Sequence, residues 1–319
     1  MDNTPVTNNT VYLNSVAPDK IRRERLYAGQ IFLYTATPET TALRDFAAEM
    51  IAEAFAPHDP QTAQFDMPVE RFVEIFGPLK PKFIHHPLTK QLMRDALASL
   101  GCDLEETYLD VPRLRGVTSD AYLTAGVGYA HPLHRDTWWS APLAQLNWWM
   151  PFYEFESESS MAFHPPYWGT GVENHSEDFN YYEWNAVGRA EAAKHIHQDT
   201  RVQPHPPADL DRDPQIRFVV PPGGLVVFSG AQMHSTVPNT SGRSRFSMDF
   251  RTVNLADLLD GRAAPNVDSR PLGTSLRDFR RMSDDEHLPD EVVARYDSGE
   301  VPEGAVLVFN PDGDGVRAP

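Results

Sequence analysis

His134, Arg135 and Asp136 stand in a row, and His234 follows far downstream within Gln232-Met233-His234-Ser235-Thr236. In an extended chain, residues i and i+2 project to the same face, so His134 and Asp136 can reach one metal ion together. His234, carried on another strand, completes two imidazoles and one carboxylate on one side of that ion. Such a set suits iron(II) and leaves positions open for a bidentate co-substrate and for O₂. A His-x-Asp pair alone arises often by chance, and its bland reading is a pair of surface or packing residues. Weight comes from what surrounds it.

Downstream of His234 runs Pro238-Asn239-Thr240-Ser241-Gly242-Arg243-Ser244-Arg245-Phe246-Ser247. The turn from Asn239 to Gly242 is expected to pair the strand at Arg245 with the strand leading into His234. Arg245 then projects into the metal's cavity, where its planar fork matches a carboxylate bidentately. Ser247 shares that face and adds a hydroxyl donor. Arg243 has the same parity and competes with Arg245. Arg251 and Asp249 share it too and read as a salt bridge. Upstream, Pro222-Gly223-Gly224 is a turn feeding a buried strand that would present His234.

Gln145 and Asn147 alternate with apolar neighbours, which turns both toward a polar cavity. There they help hold co-substrate or substrate, or else satisfy buried backbone groups. Trp138 and Trp139 follow the His-x-Asp element and Tyr122 and Thr124 precede it; they wall a substrate pocket or belong to the core. His164 and Trp168 are lid candidates. His85-His86 and His195-Ile196-His197 read as loop or solvated-helix histidines rather than ligands, and Cys102 as a buried small hydrophobe.

His-x-Asp, then Pro-Gly-Gly before an apolar strand, then a histidine with an arginine eleven residues later resembles the iron(II)/2-oxoglutarate-dependent oxygenase superfamily. Within it the chain is most similar to the phytanoyl-CoA dioxygenase-like branch, which includes ectoine hydroxylase. The resemblance covers roughly Tyr122 to Val253. It implies a double-stranded β-helix in which His134, Asp136 and His234 bind iron and act in catalysis. It also implies that Arg245, assisted by Thr236, binds the distal carboxylate of 2-oxoglutarate; this spacing favours Arg245 over Arg243. The implied reaction consumes O₂, converts the oxo acid to succinate and CO₂, and hydroxylates the substrate, with desaturation, epimerisation or ring formation as variants. Where the family commonly has Pro-Gly-Ser-His, this chain has Phe163-His164-Pro165-Pro166-Tyr167-Trp168, a different pocket wall. Halogenating relatives replace the metal-binding carboxylate with a small residue, so Asp136 disfavours halogenation. Two rivals stand beside this reading. A cupin-like metal enzyme without 2-oxoglutarate would leave Arg245 no evident purpose, and a non-catalytic binding protein on the same fold needs no such residue set.

The elements that must position these groups begin with a loose leader, residues 1–20, and a helical buttress, residues 21–107. Thr37-Pro38-Glu39 offers an N-cap, a proline in the first turn and an acid beside it. Helices are predicted over Ala42–Phe55, Val69–Phe76 and Thr89–Leu100, the last ended by Gly101. Strands are predicted at Tyr108–Val111, Ala121–Tyr129, Ala144–Phe155, Ile216–Val220, Gly224–Ser229 and Arg245–Val253. They form a core over 108–254, interrupted by a lid insert at about 164–215 with a helical patch near Ala186–His197. A helical extension, 255–319, follows, with a capping box at Ser283-x-x-Glu286. The fold class is therefore mainly β with flanking helices (α+β): one domain, a jelly-roll or cupin-like barrel buttressed by N-terminal helices.

Composition narrows the partners. The net charge of −17 argues against nucleic acid and anionic membranes, whose phosphates need clustered Lys and Arg. No apolar run approaches the roughly 20 residues that span a bilayer. Met1 to Asn14 is polar and lacks the pattern of a secretory signal. A lone cysteine favours a reducing cytoplasm. The expected partner is a polar small molecule with a ring or carboxylate, suggested by Arg113, Arg115 and the aromatic insert. An amino-acid derivative or specialised metabolite fits better than an acyl-CoA, and a homodimer is left open.

Overall fold

The computed structural model describes residues 10–189, 203–309 and 316–318; two sheets organise its core, and a third pairs Val306–Val308 with Val316–Arg317. The larger contains β1 (Val11–Leu13), β2 (Ile31–Tyr34), β3 (Thr107–Leu109), β4 (Arg113–Val117) and β5 (Leu146–Pro151). The smaller contains β6 (Met161–Phe163), β7 (Ile216–Arg217) and, after β8 (Leu225–Ser229) of the larger sheet, β9 (His234–Thr236). The ten-residue β10 (Arg245–Asn254) and the short β11 (Arg280–Arg281) return to the larger one. Strand order in the larger sheet is β1-β2-β8-β5-β10-β3-β11, with β4 also on β10, and in the smaller β7-β6-β9. An antiparallel bridge between His134 and His234 extends the smaller sheet by one more strand-like segment. Hydrogen bonding does not close the two sheets into a barrel among the described residues.

Side-chain parity on β10 decides what each face does. Phe246, Met248 and Phe250 join the main core, packing with Phe55, Phe72 and Phe76 of the N-terminal helices. Arg245, Asp249 and Arg251, on the opposite face, line a cavity. Between the sheets, Trp149, Val226 and Phe228 from the larger meet Met161 and Phe163 from the smaller. The helices α1 (Asp19–Tyr27), α2 (Pro38–Phe55), α3 (Val69–His85) and α4 (Pro87–Ser99) back the larger sheet. As expected, α2 opens on Thr37: its hydroxyl accepts from the Thr40 N–H at 3.2 Å, and the Thr40 hydroxyl accepts from the Thr37 N–H at 2.9 Å.

Several elements differ from expectation. Helix α3 runs on to His85 through Pro78 and Pro81, because Leu79 and Phe83 bury fully enough to offset the hydrogen bonds the prolines forfeit. The strand expected at Ala121–Tyr129 is a series of turns, and the adjacent strand is β4 instead; Asp120 and Ala121 adopt φ of 55° and 56°, incompatible with extended pairing. Nor does β10 pair with β9. The Asn239–Gly242 turn carries the chain from one sheet to the other, Asn239 Nδ2 donating to the carbonyls of Val117 at 2.9 Å and Arg243 at 2.7 Å. Residues 11–13 of the expected leader pair with β2. The C-terminal extension is largely irregular. Its helices are Leu255–Asp260 and Asp290–Val293, and Ser283 opens none, its hydroxyl donating instead to Glu105 Oε2 at 3.1 Å. Trp184–Gly188 forms a wide turn; residues 190–197 of the expected helical patch lie outside the described residues.

Candidate active site

His134 and His234 face each other across their bridge, each backbone N–H donating to the other's carbonyl at 2.9 Å. Arg135 keeps the chain extended (φ −112°, ψ 141°), so Asp136 lands on the same side as His134 although a tight helical turn starts there. The three ligating groups lie within 4.8 Å of one another. Asp136 Oδ1 is 3.3 Å from His134 Nε2 and 3.7 Å from His234 Nε2.

The tautomers follow from the backbone. His134 Nδ1 sits 2.7 Å from the Pro132 carbonyl and His234 Nδ1 2.9 Å from the Gln232 carbonyl. A carbonyl only accepts, so each Nδ1 carries a proton, and Nε2 is the ring nitrogen turned toward Asp136. Asp136 is held in the same manner. Its Oδ2 accepts from Gln145 Nε2 at 3.1 Å, Asn147 Nδ2 at 3.0 Å and Arg251 Nε at 3.2 Å. Oδ1 is thereby turned toward the imidazoles.

Electrostatics point the same way. Burial pushes the Asp136 carboxyl up, but the Arg251 guanidinium and the two histidines outweigh it and hold the group well below the usual carboxylate range. Burial, then the neighbouring His134, depress His234 to about 3 despite Asp136. At neutral pH Asp136 is therefore ionised and His234 neutral, the forms in which they bind metal. Two nitrogen donors and one oxygen donor, each oriented by a second hydrogen bond, fit a divalent ion with an open face.

A cavity of about 710 Å³, its mouth included, opens beside this group. Arg245 and Thr236 line it together with Asn147, Trp149 and Phe228. Arg245 is buried; one Nη donates to the Ser159 carbonyl, the Trp149 ring lies 5.2 Å from its guanidinium carbon, and its Nε has no partner among the described residues. Burial lowers it to about 10, so it stays cationic. Arg243 is exposed. The Ser247 hydroxyl is buried without a partner among the described residues, and Ser247 does not line the cavity.

The other expected residues divide between this site and the packing around it. Gln145 and Asn147, expected to hold co-substrate or substrate, are turned by the carboxylate: Asp136 only accepts, so both amide nitrogens face it, and Asn147 Oδ1 takes Gln145's other N–H at 2.9 Å. Tyr122 leaves the site altogether, its hydroxyl on the Met67 carbonyl at 2.9 Å and its ring against Phe72. Trp138 is core, its Nε1 donating to Asp268 at 2.8 Å. Trp139 stands edge-on to His134 at 5.2 Å. His164 is buried behind β9, 2.8 Å from the Arg212 carbonyl and 3.3 Å from the Ser235 hydroxyl, and Trp168 packs over Gly29. Neither lines the cavity. His86 caps α4, accepting from the Leu88 N–H at 3.1 Å.

Sequence reasoning missed Lys80 and His131, which also line the cavity, and took Asp249 and Arg251 for a plain salt bridge. That pair does form, at 2.9 Å, but Arg251 also grips Asp136, and Arg115 holds Asp249 from the other side. Alternation along β10 was the available signal for Asp249 and Arg251; Lys80 arrives from a helix whose pattern says nothing about the cavity.

Two imidazoles and a carboxylate converging on one point, beside a cavity lined by an arginine, could hold a metal ion on one face and leave its other positions open. No family model matches the chain, and no curated protein is similar to it in sequence. Among solved structures, EvdO2 from Micromonospora carbonacea var. aurantiaca complexed with 2-oxoglutarate is similar at 18% identity, over 55% of this chain and 62% of that one, with a TM-score of 0.33. SnoK, a non-heme alpha ketoglutarate dependent carbocyclase from nogalamycin biosynthesis, is similar at 14% identity over 81% of this chain and 94% of that one, TM-score 0.37. For the nickel complex of ThoJ, a non-heme monooxygenase, the values are 12%, 80%, 86% and 0.33. The match spans 62% of the length of the EvdO2 structures. Likeness this distant decides nothing about chemistry, which is read from the side chains of the cavity. No described helix is long and apolar enough to cross a membrane.

Proposed function

We propose that the chain is a non-haem iron(II)- and 2-oxoglutarate-dependent oxygenase on a double-stranded β-helix, nearest in motif to the phytanoyl-CoA dioxygenase-like branch, hydroxylating an unactivated C–H bond of a polar small molecule. The observation that carries it is the convergence of His134, Asp136 and His234 within 4.8 Å beside a buried arginine whose Nε has no partner among the described residues. His134 and His234 offer Nε2, and Asp136 offers Oδ1. Arg245 takes the distal carboxylate of the oxo acid, with Thr236 adding a hydroxyl from the cavity wall. Trp149, Met161 and Phe228 supply apolar surface that excludes water. When iron(II), 2-oxoglutarate and O₂ are bound, they supply the oxidation: the oxo acid is converted to succinate and CO₂, and the substrate C–H bond gains a hydroxyl. Arg245 is the reason to prefer this reading over a cupin-like metal enzyme, which has no task for a buried guanidinium facing the cavity.

The test is anaerobic addition of iron(II) and 2-oxoglutarate to the purified protein. A weak charge-transfer band near ~500 nm is expected, as for facial sites with open positions, lost in His134→Ala and in Arg245→Leu, followed by succinate release on admitting O₂ with a metabolite panel. A protein that binds neither iron(II) nor the oxo acid would overturn the assignment.

A further inference from the structure

The cavity wall also carries a cation that takes no part in the His134–Asp136–His234 group. Lys80, on α3, reaches into the cavity wall, where its ammonium donates to the Val127 carbonyl at 2.8 Å and lies 5.3 Å from the centre of the Phe76 ring. An ammonium has three N–H donors, and the hydrogen-bond acceptor of this one among the described residues is the neutral Val127 carbonyl. The nearby acid is already taken: Asp249 is shared between Arg115, through Nε and Nη2, and Arg251. His131, 3.4 Å from Arg115, is pushed well below the usual histidine range by burial and by that guanidinium, so it adds no charge at neutral pH.

Counting charge around the cavity sharpens the point. Below pH about 7, where Lys80 is protonated, Lys80, Arg115, Arg245 and Arg251 line the cavity with Asp136 and Asp249, an excess of two positive charges. Iron(II) and the 2-oxoglutarate dianion cancel each other, so loading the site leaves that excess in place. An ammonium withdrawn from water onto one neutral acceptor is costly unless something answers it. Burial, then Arg115, lower Lys80 to about 7, the behaviour of a charge kept waiting at a functional wall.

We propose that Lys80, with Arg115 beside it, recognises a carboxylate on the organic substrate, at a place separate from the co-substrate's carboxylate at Arg245. The inference rests on the oxygenase reading above and adds the substrate class: an organic acid. A carboxylate is the anion of choice because Arg115 is already committed to Asp249, which leaves one free ammonium to match one negative charge.

The experiment is calorimetric. Anaerobic iron(II)-loaded protein is titrated first with 2-oxoglutarate, then, saturated with it, with matched pairs of acid and amide: phenylacetate against phenylacetamide, and hexanoate against hexanamide. Each acid is expected to bind about tenfold or more tighter than its amide, the effect of one charge-assisted hydrogen bond in a buried site. In Lys80→Met the gap should shrink to about twofold or less, and in Lys80→Arg it should return, because a charge rather than a shape is being read. Affinity for 2-oxoglutarate should not move in either variant. Equal binding of acid and amide to the wild type, binding by neither, or a Lys80→Met protein that loses 2-oxoglutarate would overturn the proposal. If the wild type fails at the first titration, the oxygenase reading itself falls, and that failure is visible before any acid is added.

Discussion

Replacing Gln145 by leucine removes one of three donors on Asp136 Oδ2 and roughly keeps the side chain's size. Gln145 is 3% exposed, so no water is at hand to replace its N–H. A hydrogen bond to a charged group contributes about 1.5–3 kcal/mol. Asn147 and Arg251 remain, so Asp136 stays ionised, but it is freer to rotate Oδ1 away from the imidazoles. Changes of this type cost metal affinity about 10- to 100-fold. At about 1.4 kcal/mol per tenfold, that matches the value of the lost bond. The assay is anaerobic competition for iron(II) against a chelating indicator, with 2-oxoglutarate affinity measured separately at saturating metal and a thermal melt as the folding control. Iron(II) should bind about 10- to 100-fold more weakly while 2-oxoglutarate affinity stays unchanged. The reasoning is refuted if iron(II) affinity holds and 2-oxoglutarate affinity drops. Gln145 would then serve the oxo acid, as its alternation in the sequence suggests.

Other expectations are briefer. Arg245→Leu should weaken 2-oxoglutarate at least about 100-fold and leave iron(II) affinity alone, in the same pair of titrations. Arg135→Met strips a fully buried guanidinium from Asp268 and from the carbonyls of Ala231, Tyr167 and Thr170; a loss of about 3–5 kcal/mol in urea unfolding is expected, and a loss below about 1 kcal/mol would mean that the clasp is dispensable. Thr37→Ala should cost about 1 kcal/mol by removing the cap of α2, read by the same unfolding curves. For Lys80, at about 7, the charged form is the one below that pH. Affinity for phenylacetate should therefore be full in mildly acidic buffer and fall as pH rises through and above 7, with Asp249 ionised and His131 neutral across the range. A flat calorimetric profile from pH 6 to 9 would contradict it.

How much of this was legible beforehand depends on what kind of signal each residue left. His134 and Asp136 could be read because spacing of two is preserved by any extended backbone, even where, as here, the strand is only a bridge and a turn. Arg245 and Asp249 follow the same rule on β10, which is regular. The β4 strand was misplaced because Ala121–Tyr129 carries good β-formers, while two positive φ values at Asp120 and Ala121 break it, and no residue type announces those. The pairing of β10 was mistaken for a hairpin because a Gly- and Asn-bearing turn looks alike whether it joins neighbours or crosses between sheets. The aromatics Tyr122 and Trp138 went to packing for a plain reason: proximity in sequence to a His-x-Asp element says little about which side of the backbone a ring is free to occupy.

Gln145 and Asn147 show the deeper limit. Alternation correctly turns them toward the polar side, but a polar residue facing a cavity can bind the ligand or bind the residue that binds it. The choice is made by Asp136, which has two oxygens and a metal site that uses one. Its second oxygen, buried and ionised, needs donors, and the β5 and β10 strands deliver three. Arg251 pays attention to both ends of the cavity through the same logic, since its fork holds Asp136 with Nε and Asp249 with Nη1. With Asp249 also gripping Arg115, the carboxylates lining the cavity are held by its guanidiniums, and two lining cations, Arg245 and Lys80, have no ion-pair partner among the described residues. On the proposed reading, one such cation serves the acidic co-substrate, and the second is the one we assign to the substrate's carboxylate.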